Sequence, residues 1–137
     1  MERSGTIVVG TDGSETAERA VDRAGTLARA LGVGVHVVSG YAGRPSQMSV
    51  SNDEEQMRAQ HCVERAQQRL TNYGVHTETH VWPGNPAEAL VTIADEQGAQ
   101  MIVVGNRGMT GARRVLGSVP NDVSHRANCS VLIVPTT

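Results

Sequence analysis

Val103-Val-Gly-Asn-Arg-Gly-Met-Thr-Gly-Ala-Arg-Arg-Val-Leu-Gly-Ser118 runs from a short apolar segment, through four glycines and three arginines, into a helix start. The β-branched residues at its head read as a buried strand. Glycine lets backbone approach a ligand closely and adopt positive φ. Helix-start N–H groups and guanidinium side chains both attract anions. Such a junction points to a phosphate-bearing ligand. The plainer alternative is an ordinary glycine-rich strand-to-helix connection, and no Gly-Lys-Ser/Thr ending marks it as a P-loop.

Working outward, the same alternation recurs along the chain. Ile7-Val-Val-Gly10 reads as a first strand, followed by Thr11-Asp-Gly-Ser14. Ala17, Ala20, Val21, Ala24, Leu27, Ala28 and Leu31 then recur at helical steps, with Gly32 as the stop. Val33–Ser39 reads as a second strand and Tyr41–Asn52, which shows no period, as a loop. Asp53–Asn72 resumes helical spacing and closes at Gly74, and Val75–Val81 alternates as a third strand. Trp82-Pro-Gly-Asn-Pro86 is a turn that places Pro86 at a first helical position. A short helix follows to Gly98, then the strand Met101–Val104, a helix over Val119–Ala127 and a last strand, Val131–Val134. Strand–helix alternation of this kind predicts one parallel sheet with helices on its faces. Ligands of such sheets sit beyond the strands' carboxyl ends, where strand order reverses. If the first and fourth strands are neighbours there, Asp12 and Gly105–Ser118 face one crevice.

Composition fits this reading. At 137 residues the chain is one domain, spanning 1–137, and with 2% aromatic residues and no phenylalanine its core rests on aliphatic side chains. A net charge of −2 gives no electrostatic reason for a nucleic-acid or membrane partner. The apolar runs are too short to span a bilayer, and the polar start shows no signal peptide. Two distant cysteines, Cys62 and Cys129, read as reduced thiols of a cytoplasmic protein.

At this point the chain resembles the universal stress protein family. The resemblance is carried by Ile7-Val-Val-Gly-Thr-Asp-Gly-Ser14, by the Gly84-Asn-Pro86 turn, by Gly105-Asn-Arg-Gly108 with Gly117-Ser-Val-Pro, and by the closing Ser130-Val-Leu-Ile-Val-Pro. It implies a three-layer α/β sandwich around a five-stranded parallel sheet, Rossmann-like and of the adenine nucleotide alpha hydrolase kind. It also implies a homodimer paired through Val131–Val134 and, in one subclass, ATP as ligand, with Mg2+ as its companion. Carried over by position, Thr11 and Asp12 would meet the nucleoside, Asp12 at the ribose. Gly10 and Val37 would line the adenine pocket and Val104 would close it. Gly105, Arg107 and Gly108 would run along the phosphates, and Gly117, Ser118 and Val119 would bind their oxygens. One departure stands: eight residues separate Gly108 from Gly117, where the family pattern has nine.

Other readings stay open beside this one. Asp12 and Ser14 could serve only as turn and helix cap, and Ser118 as cap of the last helix. Arg113 and Arg114 could be solvated helix charges. His76, Glu78 and His80 share one strand face, which invites a metal, but a flat face rarely converges its ligands, so a solvated outer face and no metal are expected. His36, His61 and His125 read as structural or surface groups without evident partners. Three function classes compete: a stress-response regulator binding ATP, with AMP or cyclic AMP as alternative ligand; a slow ATPase, for which no general base is evident; and a ligand-free interaction dimer.

Overall fold

The computed structural model describes residues 5–41, 49–106 and 116–135. Elements alternate in the order β1 (Ile7–Gly10), α1 (Glu15–Leu31), β2 (Val35–Tyr41), α2 (Ser49–Thr71), β3 (Thr77–Pro83), α3 (Pro86–Gln97), β4 (Met101–Asn106), α4 (Ser118–Arg126) and β5 (Ser130–Pro135). The strands form one five-stranded parallel sheet in the order β3-β2-β1-β4-β5. Chain order therefore runs one way from β1 through β2 to β3, and the other way from β4 to β5. The reversal lies between β1 and β4, which pair from Ile7–Met101 to Val9–Val103. The three-layer α/β expectation holds.

Period two divides the core. Ile7, Val9, Val35, Val37 and Val103 face α1 and α2, where they pack with Val21, Val63 and Leu70. Val8, Val38, Ile102 and Val104 face α3 and α4, where Leu90, Ile93 and Val123 meet them. Strands buried on both faces must be apolar on both, which is why β1 and β4 carry the β-branched runs Ile7–Val9 and Ile102–Val104.

The helix ends obey local chemistry. Ser14 Oγ accepts from Ala17 N–H at 3.1 Å and starts α1; Asn85 Oδ1 accepts from Ala87 and Glu88 and starts α3, with Pro86 at its first position. Strands β2 to β5 each end one or two residues later than expected, and α2 starts earlier. Helix α2 begins at Ser49, inside the expected loop Tyr41–Asn52, because a helix's first turn needs only backbone hydrogen bonds and no apolar period. Tyr41, expected to open that loop, ends β2 instead, and residues 42–48 lie outside the described residues.

Candidate functional site

At the reversal, by the carboxyl ends of β1 and β4, lies a crevice of about 370 Å³. That lies within the roughly 300–1,000 Å³ range of small-molecule sites. One wall is apolar, from Val38, Leu90 and Val104. Leu90 comes so close beneath Gly10 that a β-carbon there would sit 3.2 Å from its Cδ1, so glycine keeps the floor open.

The polar lining comes from two loops. Thr11 N–H donates to Val38 O at 3.0 Å and carries the β1–β2 ladder one residue past the strand. Thr11 Oγ1 accepts from Gly13 N–H at 3.1 Å, and Asp12 Oδ1 accepts from Ser14 N–H at 3.0 Å. Gly13 takes φ +83°, a left-handed conformation that L side chains rarely adopt. These bonds fix the exposed Asp12 carboxylate on the crevice rim. Asp12 is thus a turn residue as well as a lining residue, and Ser14 is the helix cap.

The second loop is anchored at both ends by a residue that the sequence reading passed over. Asn106 ends β4, is 3% exposed, and its Oδ1 accepts from Gly117 N–H at 2.7 Å. This bond pins the start of α4 to the end of β4 across the intervening segment. A β-carbon on Gly117 would sit 3.0 Å from that oxygen. Gly117 caps α4 with no side-chain hydrogen bond. Ser118 and Val119 line the crevice, and as first-turn residues their amides have no carbonyl partner within the helix, while Pro120 has no N–H to offer.

The crevice brings together Gly10, Thr11, Asp12, Val104, Gly105, Gly117, Ser118 and Val119, all of them expected site residues. Val37 is the correction. Its side chain is fully buried toward α1 and α2, and Val38, one residue on, turns to the crevice face. A one-residue offset in a strand always exchanges faces. Arg107, Gly108, Arg113 and Arg114 lie outside the described residues. Besides Asn106, the reading missed Leu90, Gly40 and Pro86; Asn106 carried a signal, an amide directly after a buried strand and before the glycine loop.

On the β3 side of the sheet a second polar group emerges. His36, 4% exposed, is not partnerless: its Nδ1 lies 2.9 Å from His80 Nε2. Burial chiefly, and the neighbouring His80 next, lower its pKa, so it is neutral at neutral pH. Both cysteines are free, and burial pushes both thiols up, so neither is a ready thiolate.

Comparison with known proteins agrees with this geometry. A profile of the universal stress protein family matches residues 4–135. A universal stress protein of Mycobacterium tuberculosis is 39% identical, the match covering 96% of this chain and 97% of that protein. Among solved structures, a universal stress protein in complex with cAMP superposes with a TM-score of 0.79 at 37% identity, covering 97% of this chain and 98% of that one. The universal stress protein from Archaeoglobus fulgidus in complex with dAMP gives a TM-score of 0.78 at 32% identity, covering 95% and 97%.

Proposed function

The chain belongs to the universal stress protein family, and from that premise we propose that it is an adenine-nucleotide-binding stress regulator whose output is ATP occupancy of the crevice. The observation that carries the reading is the two-sided crevice at the strand reversal, apolar along Val38, Leu90 and Val104 and polar at Asp12 and the start of α4. The apolar wall suits a purine face. The Asp12 carboxylate suits the ribose hydroxyls, since a charged acceptor makes the stronger hydrogen bonds. Ser118 and Val119 amides, with the Ser118 hydroxyl, suit phosphate oxygens at a helix amino end. Arg107 and Gly108 would run beside the phosphates, and Mg2+ would accompany ATP. The relatives' complexes with cAMP and dAMP favour the adenine nucleoside as the common element.

Binding without turnover is the form that the lining supports. Phosphoryl transfer needs a placed base, metal ligands and charge neutralisation. Among the described lining residues Asp12 is the lone ionisable side chain. A second reading, a nucleoside monophosphate or cyclic AMP as the resident ligand, draws on Asn106. Its hold on Gly117 N–H leaves one donor fewer for a long phosphate chain. The proposed assembly is a cytoplasmic homodimer through Val131–Val134: these residues form the edge strand β5, and an apolar edge invites pairing that a symmetric partner satisfies.

Calorimetric titration with ATP, AMP, cyclic AMP and adenosine, with and without Mg2+, tests the assignment. The expected result is one site per chain, ATP at least tenfold tighter than adenosine, and no phosphate release over hours. AMP or cyclic AMP binding tighter than ATP would shift the assignment to the second reading. No heat from any of the four at millimolar concentration would overturn both. Sedimentation of the same sample reads the dimer directly.

A further inference from the structure

We propose that His36, Glu78 and His80 form a site for a divalent transition-metal ion of the zinc kind, clipping the edge strand β3 to β2. Sequence alternation alone groups His76, Glu78 and His80 on one strand face, and a flat face rarely converges its ligands. The pairing of β2 with β3 changes the set. His36 is the register partner of Glu78, and Val38 that of His80, so His36 and His80 are diagonal neighbours on the face toward α3. Diagonal neighbours lie within reach of long side chains. His36 Nδ1 is 2.9 Å from His80 Nε2 and 4.0 Å from Glu78 Oε1. One ligand atom from each of the three residues falls within 4.8 Å of the others.

That spacing is close to a coordination shell. Tetrahedral zinc with nitrogen at about 2.0–2.1 Å separates two ligand nitrogens by about 3.3 Å. The imidazoles would part by a few tenths of an ångström, and the Glu78 carboxylate, 54% exposed, is able to swing inward. The ring that donates in the present bond moves its hydrogen to its other nitrogen, a tautomer change with no net loss of a proton. Two imidazoles and a carboxylate suit zinc and its neighbours over Mg2+ or Ca2+, which prefer all-oxygen shells. Three protein ligands leave the fourth tetrahedral position to water. His76, whose Nε2 lies 3.3 Å from Glu78 Oε2, supports the carboxylate from outside the trio.

The site is independent of the crevice. His36 and Glu78 are the second residues of β2 and β3, toward the strands' amino ends, whereas the crevice opens at the carboxyl ends. The test is competition for Zn2+ against a chromogenic chelator, with the wild-type chain and the variants Glu78→Gln, His80→Asn and His76→Ala. His80 and Glu78 are partly or largely exposed, so both variants keep the core; circular dichroism confirms their folding. The expected result is one zinc per chain in the wild type. Glu78→Gln and His80→Asn should each weaken it at least tenfold, and His76→Ala less than either. Co2+ should give a tetrahedral visible spectrum without thiolate charge-transfer bands, and Asp12→Ala should leave zinc affinity unchanged. Zinc affinity unmoved by Glu78→Gln and His80→Asn, no zinc uptake at micromolar concentration, or thiolate bands in the Co2+ spectrum would overturn the proposal.

Discussion

The crevice between β1 and β4 and the imidazole pair between β2 and β3 are built from adjoining strands in different ways. In the crevice the polar groups are short loop side chains and helix-start amides placed where strands end, with Asp12, Asn106 and Ser118 each within a residue or two of a strand or helix boundary. In the β2–β3 cluster the polar groups are side chains within the paired strands, and only lateral pairing brings His36 beside Glu78 and His80. A strand-end site is assembled by topology, so it gains backbone donors and tolerates varied ligands. A site within paired strands is assembled by register, so it holds side-chain ligands in fixed relation and suits a small ion.

The largest effect that sharpens this contrast is expected from Leu90→Ala. Leu90 is 2% exposed beneath Gly10, and its loss should destabilise the fold by about 2–5 kcal/mol in urea denaturation. The nucleotide-dependent rise in Tm should shrink with it, while zinc affinity in the refolded variant stays within twofold; equal loss at both places would break the separation. Next, Asp12→Ala should weaken ATP, AMP and adenosine alike by tenfold to about a hundredfold by calorimetry, the range of a hydrogen bond to a charged group, roughly 1.5–3 kcal/mol. Loss confined to ATP would remove the ribose role.

Asn106→Ala should cost about 1–3 kcal/mol of stability, because a buried acceptor that holds Gly117 N–H disappears. It should also weaken ATP more than adenosine, since α4 would lose its tie to β4; unchanged thermal unfolding would show that the tie contributes nothing. The smallest effect is expected from Ser118→Ala, about threefold to tenfold on ATP and none on adenosine, in line with one neutral hydrogen bond of about 0.5–1.5 kcal/mol. Equal losses for both ligands would contradict its phosphate role.

The same contrast explains what could be read from the residues alone. The sheet was legible because Ile7–Val9 and Ile102–Val104 are buried on both faces and so are apolar in sequence, and because Ser14, Asn85 and Gly32 act through bonds to their own near neighbours. The crevice was legible in outline because glycine loops and helix starts are local features; the resemblance supplied the roles. Val37 was misplaced by one residue because a carried-over position does not report which face a strand residue takes. Leu90 stayed hidden because nothing local marks which α3 side chain will lie under Gly10. His36 stayed hidden because its partner is 44 residues away, and only the parallel register of β2 and β3 joins them.

The most direct test of the nucleotide crevice is backbone amide chemical-shift mapping during titration with ATP. Shifts concentrated at Gly10–Asp12, Val38–Gly40, Val104–Asn106 and Ser118–Val119 are the predicted result, with the amides of Glu78 and His80 unmoved. Shifts centred elsewhere, or none at millimolar ATP, would contradict it.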